Sequence, residues 1–185
     1  MNLEYVHASR FGNGAIVAEE FARRMTARGV TVNVHHIRDV SPDRLPPADL
    51  YVFSSPGQWG KPIRRVRRFL SKISLPAGTP YALLATEMGP PKPDKETGRM
   101  PSEEEIAKFQ RVRPIMHELL QAAGMVNVAE EKIYVTGIRG PLEDGWQDKV
   151  AAFAAHIPLH LGTPIAEQGV PSARPAAADT EGGRR

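Results

Sequence analysis

Six consecutive residues, Ser9-Arg10-Phe11-Gly12-Asn13-Gly14, have the types and spacing to hold an anion. They lie between an apolar run that predicts a strand and an amphipathic run that predicts a helix. Glycines at such a junction let the backbone approach a ligand. The first helical N–H groups and the positive end of the helix dipole point at the same place. A phosphate group suits that place. The residues also read as an ordinary turn, because Ser, Asn and Gly cap helices without any ligand.

Two further segments bear on the same question. Ser55-Pro56-Gly57-Gln58-Trp59-Gly60 follows another apolar run. Its tryptophan lies off any helical stripe, and its flat ring suits stacking on a planar ligand. Thr86-Glu87-Met88-Gly89 ends a third apolar run. Other phosphate motifs do not fit. Gly12-Asn13-Gly14 begins a dinucleotide fingerprint, but Val17 stands where its third glycine belongs. No Gly-Lys is followed by Ser or Thr, so the P-loop pattern is absent.

Several chemistries are excluded or disfavoured outright. The chain has no cysteine, which removes disulfides, thiolate metal sites and cysteine nucleophiles. Redox chemistry would need a bound cofactor. His35 and His36 point to opposite faces of a strand, and Pro158 separates His156 from His160, so no metal site is expected. No serine, histidine and acid cluster has the context of a nucleophile elbow. Lys61, Arg64, Arg65 and Arg68 share one helical face. That face reads as solvated surface or as a docking patch for an acidic protein, nucleic acid or anionic lipid, and neither aromatic interleaving nor a nucleic-acid motif accompanies it.

The elements that must position these loops follow from periodicity. Strands are expected over residues 3–8, 30–37, 50–54, 81–86 and 132–138. Val17, Phe21 and Met25 form the stripe of a first helix, which Gly29 ends. A second helix carries Ile63, Val66, Leu70 and Ile73, with Pro62 in its first turn. A third begins at the capping box Ser102–Glu105 and carries Ile106, Phe109, Val112, Met116 and Leu120, with a kink or break expected at Pro114. A last helix, capped by Asp144, carries Trp146, Val150, Phe153 and Ile157. Five strands alternating with helices predict an α/β domain over residues 1–162, with a parallel sheet covered on both faces. Residues 163–185 lack periodicity and are expected to be disordered. With no signal peptide and no membrane-length apolar run, a cytoplasmic location is expected.

The order strand, Ser-x-x-Gly-Asn, helix, and later strand, Ser-Pro-x-x-Trp-Gly, resembles the flavodoxin family across nearly the whole periodic chain. The resemblance implies a three-layer sandwich whose five parallel strands run in the order 2-1-3-4-5. It implies that FMN binds non-covalently and serves electron transfer. It places the FMN phosphate on Ser9, Arg10, Phe11, Gly12, Asn13 and Gly14. It places the flavin ring between Ser55, Pro56, Gly57, Gln58, Trp59 and Gly60 on one side and Thr86, Glu87, Met88 and Gly89 on the other. The partner would be a redox protein or a small electron acceptor, with no nucleic acid.

Two departures accompany the likeness. Phe11 and Gly14 stand where the family's loop usually has hydroxyl residues, and Arg10 offers a charge in their place. The net charge is +3, whereas electron-shuttling flavodoxins are typically acidic. The same residues leave two other functions open: a flavin-free interaction module acting through the basic helix, and an FMN-dependent reductase of a quinone or other small acceptor.

Overall fold

The computed structural model describes residues 1–89 and 91–160. The expected disordered tail, 163–185, lies outside them. Along the chain run β1 (Asn2–His7), α1 (Asn13–Ala27), β2 (Thr31–His36), β3 (Leu50–Ser54), β4 (Gly57–Gln58), β5 (Lys61–Pro62) and α2 (Arg64–Leu70). There follow β6 (Pro80–Met88), α3 (Glu103–Phe109), α4 (Val112–Ala122), β7 (Val126–Val135) and α5 (Trp146–His156).

The main sheet has five parallel strands in the order β2-β1-β3-β6-β7. The expected order was 2-1-3-4-5. The numbering differs because β4 and β5, which the sequence did not announce, pair antiparallel with each other outside that sheet. Both are two residues long, too short to produce an alternating pattern.

β1, β3 and most of β6 are buried along their length, which is why they read as continuous apolar runs. Their alternate faces feed two cores. On one face Tyr5, Val52 and Leu84 meet Val17, Phe21 and Met25 of α1 and Val150 and Phe153 of α5. On the other, Val6, Phe53 and Leu83 meet Val66 and Leu70 of α2 and Val112, Met116 and Leu120 of α4. Helices thus cover both faces. No described helix is long and apolar enough to cross a membrane.

Several boundaries moved. β7 starts six residues before the expected residue 132, because an edge strand half open to solvent tolerates Asn127, Glu130 and Glu131. The third helix is broken rather than kinked: α3 ends at Phe109, and Pro114 falls in the first turn of α4, where a missing N–H costs nothing. That break takes Phe109 off the core stripe, leaving it 76% exposed. Pro62 lies in β5 and precedes α2. Gly145 in the left-handed region, not Asp144, opens α5. The capping box at Ser102 and Glu105 forms as read.

Candidate functional site

β1 has β2 on one side and β3 on the other, so the chain leaves its carboxyl end in diverging directions and opens a crevice there. The loops after β1, β3 and β6 meet at this edge. Two backbone bonds tie them sideways: Ala8 N–H to the Ser54 carbonyl at 3.3 Å, and Thr86 N–H to the Ser55 carbonyl at 3.1 Å.

The first loop builds a corner lined by hydrogen-bond donors. Gly12, with φ of 90°, turns the chain into α1 without a side-chain cap. The Gly12 carbonyl accepts from Ala15 and Ile16, so the amides of Asn13 and Gly14 lead the helix with no acceptor inside it. The Ser9 hydroxyl is buried and has no hydrogen-bond partner. It lies against the same helix start: a Cβ placed on Gly14 would stand 3.6 Å from Ser9 Oγ. That Cβ would also be 2.9 Å from the Ala8 carbonyl oxygen. Glycine at position 14 therefore answers to packing, because α1 approaches β1 too closely for any side chain.

Phe11 is part-exposed and carries a guanidinium over its ring from each of two arginines. Arg10 stands 5.3 Å from the ring centroid and Arg139 5.8 Å. Arg139 belongs to the loop between β7 and α5. Its carbonyl accepts from the Asn13 side-chain amide at 3.2 Å. No sequence motif marks Arg139, and only the fold brings it to residue 13. The corner thus offers two leading amides, one orphaned hydroxyl and two cations. A phosphate dianion fits that donor set.

The second loop is a hairpin. Gln58 pairs with Lys61 across the turn residues Trp59 and Gly60. Both turn residues have positive φ, 54° and 71°, as a tight hairpin of the I′ kind requires. A tryptophan is a strained occupant of that position. The turn thrusts the Trp59 side chain into solvent, 93% exposed. Gly60 lies against the break between α3 and α4. Its carbonyl accepts from Arg111 N–H at 2.7 Å, and a Cβ there would overlap the Phe109 carbonyl oxygen. Ser55 spends its hydroxyl on the Pro56 carbonyl at 3.0 Å. Gln58 is exposed on β4, and Gly57 packs over Val112 and the Glu87 backbone.

The third segment is mostly strand rather than loop. β6 stays paired with β7 through Met88, in register Thr86 to Ile133, Glu87 to Tyr134 and Met88 to Val135. Gly89 then closes against the Tyr134 ring. Thr86 and Glu87 are buried, and of this segment Met88 alone turns a large side chain outward. The Glu87 carboxylate has no hydrogen-bond partner. Burial pushes its pKa up, while Lys132 and Arg113 pull it back.

Gln110, between α3 and α4, ties the end of β6 to β7. Its amide donates to the Met88 carbonyl at 3.2 Å. Its oxygen accepts from Lys132 Nζ at 3.0 Å and from the Tyr134 hydroxyl at 3.3 Å. Gln110, Arg111, Tyr134 and Arg139 contribute to this edge without having been singled out by the sequence.

No protein-family model matches the sequence, and neither does any curated protein. Solved structures do match in shape. An archaeal flavodoxin superposes with a TM-score of 0.58 at 17% identity, over 83% of this chain and 94% of its own. Flavodoxin 2 of Bacillus cereus gives 0.62 at 17% identity, over 84% and 97%. The rubredoxin:oxygen oxidoreductase of Desulfovibrio gigas gives 0.60 at 14% identity, over 84% of this chain and 35% of its own. The chain has a flavodoxin-like α/β fold.

Proposed function

We propose that this protein binds FMN non-covalently and passes electrons through it. The observation that carries the reading is the buried, unpartnered Ser9 hydroxyl beside the leading amides of α1, in a corner that Arg10 and Arg139 make positive. An unsatisfied buried hydroxyl costs about 1–3 kcal/mol, and an anion accepting from it recovers that cost. The fold it shares with flavodoxins supports FMN phosphate as that anion.

In this reading Ser9, Gly12, Asn13 and Gly14 grip the phosphate through the hydroxyl and the backbone amides. Arg10 and Arg139 supply the charge that the hydroxyls absent at Phe11 and Gly14 would otherwise assist. Ser55 to Gly60 form one wall of the ring site, with Trp59 as its stacking surface. Thr86 to Gly89 form the other, with Met88 turned toward the opening. FMN, when bound, supplies one- and two-electron transfer. The protein's part is to hold it, to exclude water from one face, and to set the charge around it. The electron partner is a second redox protein or a small acceptor.

Titration with FMN and with riboflavin tests the reading. FMN should bind at micromolar concentration or tighter, with flavin fluorescence quenched, and riboflavin more weakly because it lacks the phosphate. Equal affinity for the two removes the phosphate assignment. Binding of neither removes the flavin and leaves an interaction module.

A further inference from the structure

Five cations line two adjoining grooves on one side of the molecule, and a sixth, Lys61, stands off the expected helix face on the strand before them. Arg38 follows β2, Lys61 lies on β5, Arg64, Arg65 and Arg68 are on α2, and Lys72 follows it. All six are exposed. Among the described residues none forms an ion pair with a carboxylate, whereas arginines elsewhere do. Arg23 and Arg24 share Glu20, Arg99 meets Glu105, and Arg113 meets Glu130. The chain carries +3 in all, so without these six it would be negative. Arg38, Arg65, Arg68 and Lys72 line a single groove of about 790 Å³, in which Asp39 is the one carboxylate. Its floor includes the apolar side chains of Ile37 and Phe69. Holding like charges together without counter-charge raises the energy of the free protein, and an acidic partner relieves it.

We infer that this face is the docking surface for a carboxylate-rich electron-transfer protein. The inference rests on the flavin reading for the partner's redox character alone. Continuity with the candidate site supports a protein as occupant. Lys61 directly follows the Trp59–Gly60 turn, and Arg64 opens the helix three residues later. Phe109, exposed, sits where its backbone meets Gly60. A partner seated on the cations therefore reaches two exposed aromatic rings at the edge where the ring site opens. Charge around an aromatic anchor is the make-up of a protein interface. Nucleic acid would instead call for aromatic rings interleaved among the cations, and Phe69, the ring within the groove, is buried.

The test uses the full chain, isotope-labelled, in amide NMR titrations that need no flavin. The probe is an acidic plant-type ferredoxin, compared with a single-stranded oligothymidine and with phosphatidylserine vesicles. The ferredoxin should shift the amides of residues 38–41 and 59–72 saturably at low salt. Binding should weaken at least about tenfold toward physiological salt, where the screening length is about 8 Å. The exposed triple variant Arg64→Glu/Arg65→Glu/Arg68→Glu should lose the shifts, keep the remaining spectrum, and bind FMN as the parent does. Absence of shifts on this face overturns the inference, and so does tighter binding of the oligonucleotide or the vesicles. Failure of FMN to bind, with docking intact, would remove only the proposed cofactor.

Discussion

The side-chain amide of Asn13 donates to the backbone carbonyl of Arg139 at 3.2 Å, across 126 residues of sequence. This bond fastens the first residue of α1 to a loop at the far end of the sheet. It brings a second guanidinium to the ring that Arg10 already covers. The proposed phosphate corner is therefore assembled from segments far apart in sequence.

Arg10 and Arg139 should act on the phosphate and not on the ring. Arg10→Ala and Arg139→Ala are each expected to weaken FMN by about 1.5–3 kcal/mol, the range for a hydrogen bond to a charged group. Riboflavin affinity should hardly move. Paired titrations with the two flavins check this, and equal losses for both would place the arginines elsewhere.

Gly14→Ser would restore the hydroxyl that the flavodoxin pattern places at that position, yet it should do harm. Its Cβ would stand 2.9 Å from the Ala8 carbonyl, so α1 must back away from β1. Overpacking of this kind costs about 1–3 kcal/mol. Denaturant unfolding should show that loss, and FMN should bind more weakly than to the parent.

Trp59 sets stability against binding. Its φ of 54° suits glycine better than an L side chain, by about 1–2 kcal/mol. Trp59→Gly should raise the unfolding free energy by up to that amount while weakening FMN. Trp59→Phe should retain most of the affinity, because a planar surface remains. Tryptophan emission gives a further check. Trp146 is part-buried against the core of α1 and α5, so quenching by FMN should come mainly from Trp59 and fall away in Trp59→Phe.

Glu87 should make stability fall as pH rises. Burial raises its pKa in the folded state, so the fold binds that proton more tightly than the unfolded chain does. The contribution is full below the ordinary glutamate value and is lost as pH climbs through the raised one. Glu87→Gln should therefore melt a few degrees higher than the parent at neutral pH, with the gap closing near pH about 4. Glu20 acts in the opposite sense. Hydrogen bonds from Arg23 hold it down to about 2. Its contribution is present above the ordinary value and lost as pH falls toward 2.

Much of the layout was legible because burial writes itself into sequence. β1, β3 and β6 lie inside the sheet, and their unbroken apolar runs announced them. The stripe of α1 and the capping box of α3 were equally plain. Edges and joints were not. β7 mixes charged residues with apolar ones because one side of it is free. Phe109 has the spacing of a core residue, but the helix ends beneath it, and spacing cannot reveal a break. Of the candidate site, the glycine-led entry into α1 and a tryptophan off any helical stripe could be read from residue types. The contributions of Arg139 and Gln110 could not, because each depends on strands brought together from distant sequence.

Gln110 holds Met88, Lys132 and Tyr134, and the neighbouring Arg111 amide holds Gly60. One short joint between two helices thus fastens both the second loop and the end of β6, the two segments that flank the proposed ring site. Because the two holds come from neighbouring residues, loosening of that one joint should free both segments together. If the proposed flavin ring enters here, its entry is expected to need local opening of this joint, slower than the flicker of a free loop. The Arg111 amide should exchange its hydrogen in step with Gly89, whose own N–H is held by the Val135 carbonyl.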